Sequence, residues 1–242
     1  MTADRVPGPT VRRLLALPAV LAVVLGAGAC SGGSDRGGSG GALSYPKVRS
    51  AAERIGPAGG DGCPFGLDLG AALKAAGVDR AAAPGAPDGR PVEAEAGDGY
   101  GPQPWPSGLT PAPTAASAPG LPATAWITCR WTVGGEPVRL DLLAVPLSDA
   151  GTSLLLPTLQ RTARLSVADL TTVVARRPEP GGAPLLTPGG GLAALARVAA
   201  AGDGDIVLLL SSDTADGSDN APALSGEPLG RTLERLTAQL PA

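Results

Sequence analysis

Apolar and polar positions recur along the chain with two distinct periods. Residues 126–133 alternate, with Ile127, Cys129, Trp131 and Val133 set against Thr128, Arg130 and Thr132. This is the period of a half-buried strand with Cys129 on its inner face. Gly134-Gly135 turns the chain back into residues 138–145, and the pair reads as a hairpin. Residues 206–210 are continuously apolar, the pattern of a central strand buried on both faces. The Ala and Leu content of residues 192–200 favours helix, but the turn signal Gly202-Asp203-Gly204-Asp205 makes residues 192–211 a second hairpin.

Helical spacing appears at both ends of this region. Leu229, Leu233, Leu236 and Leu240 share one face of a C-terminal amphipathic helix. Leu69, Ala72, Leu73 and Ala76 predict a helix over residues 67–76, opened by Cys63-Pro64 and stopped by Gly77. Residues 47–55 predict a short helix ending at Gly56-Pro57. Residues 152–165 predict another, with Pro157 near its start. Residues 170–176 are β-branched and read as a strand, followed by a Pro/Gly-rich connection over residues 178–191. The order predicts an α+β domain over residues 45–242, with an antiparallel sheet of about five strands in hairpins packed against helices.

Residues 80–125 break the pattern. Pro, Ala and Gly dominate, as in Ala81-Ala82-Ala83-Pro84-Gly85-Ala86-Pro87, and the stretch reads as a long disordered insertion. Thr110, Thr114, Ser117 and Thr124 lie among its prolines, a composition found in O-glycosylated stalks. The single asparagine, Asn220, precedes Ala-Pro, so there is no N-linked sequon.

Composition narrows the chemistry. There is no histidine, which removes Ser-His-Asp and Cys-His catalysis, the usual His-bearing zinc sites and most pH switches. Three Trp, two Tyr and one Phe leave little for a stacking platform, so the core is built from Leu, Val, Ala and Ile. Seventeen arginines stand against two lysines, Lys47 and Lys74.

The N-terminus carries an address. Arg12 and Arg13 precede an uncharged run over residues 14–25, interrupted only by Pro18. Small residues and a cysteine follow. This charged, apolar, small-residue order is that of a secretory signal over residues 1–29, and so short a run does not form a stable membrane span. Leu25-Gly26-Ala27-Gly28-Ala29-Cys30 resembles the lipobox of bacterial lipoproteins, with Ala27 where Leu is commoner. The resemblance implies a diacylglyceryl group on the sulfur of Cys30, further acylation such as palmitate, and cleavage just before that residue. Two acyl chains anchor stably. Residues 30–44 read as a Gly/Ser-rich flexible tether. Removing residues 1–29 leaves 213 residues. Asp4, Arg5, Arg12 and Arg13 take +2 with them, so the remainder of the −3 chain carries −5. That overall balance is a poor one for nucleic acid or anionic lipid.

With Cys30 lipidated, Cys63 and Cys129 remain as an even pair outside the cytoplasm, which predicts a disulfide; two free thiols are the alternative. Several features recur together: Cys63 opening a helix, a long variable gap, Thr128-Cys129-Arg130-Trp131, a Gly-rich late hairpin and a C-terminal helix. In this the chain resembles small secreted actinomycete lipoproteins with a two-cysteine α+β domain of unknown function, over roughly residues 45–242. That resemblance implies an envelope lipoprotein and supplies no catalytic residues.

Other motifs are weaker. Ser44-Tyr45-Pro46-Lys47 matches S-x-x-K and Ser218-Asp219-Asn220 matches S-D-N, but Pro46 opposes a helix there and no K-T-G exists. Asp216, Ser218, Asn220 and Glu227 occupy calcium-loop positions, yet Ala221 stands where the sharp turn needs Gly. Asp203 and Asp205 read as turn residues. Asp141 reads as an outward-facing strand residue, with no second carboxylate to make a glycosidase pair.

The expectation is a non-catalytic binding module, lipid-anchored through Cys30 at the extracytoplasmic face of the cell membrane. It needs no cofactor or metal, and its partner is an unknown envelope protein or ligand rather than nucleic acid. The alternative is a carrier of a small apolar ligand, housed under a Leu/Val/Ala-rich sheet.

Overall fold

The computed structural model describes residues 41–85, 89–99, 120–212 and 222–241. Five helices and a seven-stranded antiparallel sheet make up these residues, so the fold is α+β. In chain order the elements are α1 (Tyr45–Ile55), α2 (Leu69–Ala75), β1 (Ala82–Pro84), β2 (Val92–Gly97), β3 (Thr124–Val133) and β4 (Glu136–Val145). Then come α3 (Gly151–Ala163), α4 (Val167–Ala175), β5 (Leu185–Leu186), β6 (Ala193–Val198), β7 (Asp205–Ser212) and α5 (Gly226–Thr237). The sheet runs β1-β3-β4-β7-β6-β5, with β2 paired to β3 beside β1.

Both predicted hairpins form. Gly134 and Gly135 have φ of 62° and 90°, which a two-residue hairpin turn needs at both central positions. Val133 then faces Glu136, and the register runs on to Ala125 against Ala144. In the second hairpin Val198 pairs with Ile206 and Ala193 with Ser211.

Helices cover the two faces unequally. On the first face α1, α2 and α5 bury Val48, Leu69, Leu73, Leu229, Leu233 and Leu236 against Ile127, Cys129, Leu140, Leu142, Leu208 and Leu210. On the second face α3 and α4 bury Leu155, Leu159 and Val173 against Leu143, Val145, Leu195, Val207 and Leu209. β7 is therefore buried along its whole length, as its continuous apolar run predicts. Each fully buried Leu or Val contributes about 1.5–3 kcal/mol. The cover on the second face stops at β4, and its β2–β3 corner carries no helix.

Three local readings change. Residues 170–176 are not a strand; they lie in or directly after α4. Ser166 caps this helix in a reciprocal box: Asp169 N donates to Ser166 Oγ at 3.2 Å and Ser166 N donates to Asp169 Oδ2 at 3.0 Å. Thr171 and Thr172 hydroxyls donate to the carbonyls four residues back. Capping and back-bonding outweigh β-branched propensity here. Secondly, parts of residues 80–125 are ordered, since β1 and β2 both pair with β3. Val92, Ala94 and Ala96 alternate with Glu93 and Glu95, a period-2 signal overshadowed by the surrounding Pro and Gly. Thirdly, Pro46 does not block a helix. It sits in the first turn of α1, where its missing N–H has no partner to lose.

Cys63 and Cys129 form a disulfide with Cα atoms 5.6 Å apart. It ties the loop ahead of α2 to the centre of β3. Two tests follow. Intact mass rises by about 2 Da on reduction as the two thiols gain hydrogens, and Cys63→Ser with Cys129→Ser lowers unfolding free energy by about 2–5 kcal/mol; an unchanged mass refutes the bond. The Ser166 side chain and backbone hold the Asp169 carboxyl below its ordinary value of 3.8. A depressed carboxyl stabilises the folded state above its unfolded pKa, and this is lost as pH falls through the folded value. Ser166→Ala therefore loosens α4 at neutral pH, read as faster amide exchange in residues 167–175, and its effect shrinks in acid.

Candidate functional site

The polarity of the second face switches partway along β4. On β4 the residues pointing to this face are Arg139 and Asp141, then Leu143 and Val145. α3 covers the apolar half. The polar half meets Thr128 and Trp126 of β3 and, beyond them, Glu93 and Glu95 of β2, each directly opposite a β3 partner. A groove of about 710 Å³ runs along β2, between this corner and the end of α1. Glu93, Glu95, Trp126, Thr128 and Arg139 line the sheet side. Ala52, Glu53, Gly56 and Pro57 line the helix side.

Asp141 organises the floor. It is fully buried, contrary to the outward-facing role that its strand position suggests. Its Oδ1 accepts from Trp126 Nε1 at 2.9 Å, Thr128 Oγ1 at 2.8 Å, Arg139 Nε at 3.0 Å and Arg139 Nη2 at 2.7 Å. Oδ2 and the nearby strand residue Ser211, through its Oγ, are buried without a hydrogen-bond partner among the described residues. Alternation alone places Asp141 on this face. Its burial goes with the three side chains gathered round it, Trp126, Thr128 and Arg139, all on the same face and all donating to the carboxylate.

The charges of the groove are largely matched. Arg130 Nη1 lies 2.9 Å from Glu93 Oε2, in ion-pair contact but out of hydrogen-bond alignment. Arg49 pairs with Glu53 at 2.8 Å and also with Asp98. Glu95 is exposed and makes no ion pair among the described residues. The groove thus offers one free carboxylate and one aromatic face beside pre-set polar groups.

A second buried network lies at the other end of the face. Arg197 donates through Nε to Asp205 Oδ1 at 3.0 Å and through Nη2 to Asp149 Oδ1 at 2.8 Å. Asp205 Oδ2 accepts Gly151 N at 2.9 Å, so a strand carboxylate caps the start of α3. Asp205 is therefore a buried structural anion rather than a turn residue. Burial alone lowers the Arg197 pKa, but the hydrogen bonds and charges of Asp205 and Asp149 outweigh it and hold the group above its ordinary value.

Other sequence candidates do not converge here. Cys30, Ser218-Asp219-Asn220 and the calcium-like positions Asp216, Ser218 and Asn220 lie outside the described residues. Glu227 sits in the first turn of α5 and pairs with Arg231 at 2.6 Å. Lys47 Nζ donates to the carbonyls of Gly41 and Ala42, so the lysine of the S-x-x-K match is spent on helix entry. No group of three or more metal-ligating side chains occurs among the described residues. Scans of family models, curated proteins and solved structures find no match to this chain.

Asp141→Ala leaves the Arg139 guanidinium and the Trp126 N–H without their acceptor. It is expected to destabilise the domain by about 3 kcal/mol or more in denaturant titration, as removal of one buried partner does, and to shift Trp126 emission. Asp141→Asn keeps an acceptor oxygen and loses less. Equal stability of Asp141→Ala and the parent rules out the organising role.

Proposed function

We propose that this chain is an extracytoplasmic lipoprotein, anchored in the cell membrane through Cys30, whose folded domain is a non-catalytic binding module of the envelope. The observation that carries the binding reading is the groove along β2. It is open, walled by carboxylates and floored by an indole whose N–H is already committed to Asp141. Side chains held this way recognise without rearranging, which lowers the entropy lost on binding. The disulfide supports an oxidising compartment. Among the described residues no helix is long and apolar enough to cross a membrane, which is compatible with attachment by lipid. The partner is an envelope protein or ligand that enters at Glu95 and the Trp126 face.

Two experiments test the two halves of the reading. In the native host, labelled palmitate is expected on the parent chain and absent from Cys30→Ser, which is released from the membrane fraction. Labelling that survives Cys30→Ser refutes the anchor. In intact cells a photocrosslinker at Glu95 is expected to capture a discrete partner, and Trp126→Ala is expected to reduce capture at least tenfold. Native mass spectrometry of the domain purified from its host separates the carrier alternative. Extra mass lost on denaturation, and unchanged by Trp126→Ala, assigns a ligand held elsewhere and overturns the groove reading.

A further inference from the structure

We propose that the α3–α4 layer is a membrane-facing surface that rests on an anionic lipid bilayer. This rests on the lipoprotein reading above and adds a second contact, made by the folded domain itself.

The first observation is where apolar surface remains exposed. The large hydrophobic side chains exposed among the described residues are Leu121, Leu147, Val167 and Val174. Leu147 precedes α3. Val167 and Val174 are seven residues apart on one face of α4, 74% and 43% exposed, with half-buried Leu170 between them. Val173, about a quarter of a turn round from Val174, packs into the core, with Leu170 partly buried against it.

The second observation is charge. Arg161 and Arg164 end α3, and Arg176 and Arg177 end α4; all four are exposed. The carboxylates of this layer are Asp149, Asp169 and Glu179. Asp149 is held by buried Arg197 at 2.8 Å and lies 3.6 Å from Arg177. Asp169 is held in the Ser166 capping box. That leaves Arg161, Arg164 and Arg176 without an acidic partner among the described residues, against Glu179 in the layer and exposed Asp203 in the neighbouring β6–β7 turn. Elsewhere Arg49, Arg130, Arg139 and Arg231 each pair with an acid, while Arg54, Arg80 and Arg90 donate to a hydroxyl or a carbonyl.

The third observation is position. Leu43, where the tether meets the fold, accepts the Ala201 N–H at 2.7 Å in the β6–β7 turn. Asp205, which follows that turn, pairs with Val145, two residues before Leu147. The tether attachment and the Leu147–Arg177 end of the layer thus share one end of the sheet. Ten Gly/Ser-rich residues, 31–40, separate Cys30 from Gly41, a length that keeps the domain within range of the headgroups. Exposed Val and Leu side chains enter the headgroup–acyl boundary while arginines flank them at the phosphates. A protein partner explains the apolar patch alone less fully, because it does not account for the tether end.

The test uses the chain from Ser31 onward, which has no lipid and retains the whole core and the disulfide. Sedimentation is measured with phosphatidylcholine vesicles with and without phosphatidylglycerol. Binding is expected only with the anionic lipid and is expected to weaken as salt rises. Arg161→Gln, Arg164→Asn and Arg176→Gln are each expected to weaken it about fivefold, and Val167→Ser to weaken it without changing the salt slope. Arg54→Gln and Arg235→Gln, on the other helical layer, are expected to leave it unchanged. Far-ultraviolet circular dichroism checks that each variant is folded. No binding to anionic vesicles, or equal losses from the two control substitutions, overturns the proposal. Palmitate labelling of Cys30 reads the anchor independently, so failure of this surface and failure of the lipoprotein reading give different results.

Discussion

β7 is paired on both sides, to β4 and to β6, and buried on both faces along all eight residues. Leaving its Ile206 to Leu210 side chains in water is too costly for a stable domain, so helices must cover both faces at this point. Two groups of helices supply that cover. α5 and α1 follow the first face across the sheet towards β2, whereas α3 and α4 reach only as far as β4. The difference in reach creates the site. Where α3 ends, the second face turns polar and the groove begins.

Charged groups survive inside this arrangement only where geometry matches them. Asp141 and Asp205 both lie on the second face, and each is surrounded by donors. Asp205 is additionally tied to the first backbone N–H of α3, so it positions the helix that covers its own strand. A buried ion pair adds little stability over an apolar replacement, but removing one partner is expensive. These pairs are better understood as fixing orientation: Arg197–Asp205 for α3, Arg139–Asp141 for the Trp126 indole. The groove inherits its shape from the second pair.

Net charge is a weak guide to a surface of this kind. The mildly acidic total argues against an affinity for anionic lipid, yet pairing removes several arginines from consideration and leaves Arg161, Arg164 and Arg176 without an acidic partner at the ends of α3 and α4. Pairing is a property of distance, and sequence separation does not report it. Arg197 and Asp149 are 48 residues apart and in contact at 2.8 Å.

Period and turn chemistry made much of the fold legible. The β3–β4 and β6–β7 hairpins, the C-terminal helix and the Cys63–Cys129 pairing follow from alternation, Gly-Gly turns, helical spacing and an even cysteine pair. Local competition misled in two places. The capping box at Ser166 outweighed the β-branched run of α4, and the Pro/Gly-rich surroundings of β2 concealed its alternation. The sequence by itself determined which residues share a face, because side-chain direction repeats with the backbone period. Only the tertiary structure decided which faces are covered, and so that Asp141 is buried, that Glu93 and Glu95 flank Trp126, and that Val167 and Val174 remain exposed. Coverage depends on where each helix comes to rest, and that is set by packing between segments far apart in the chain.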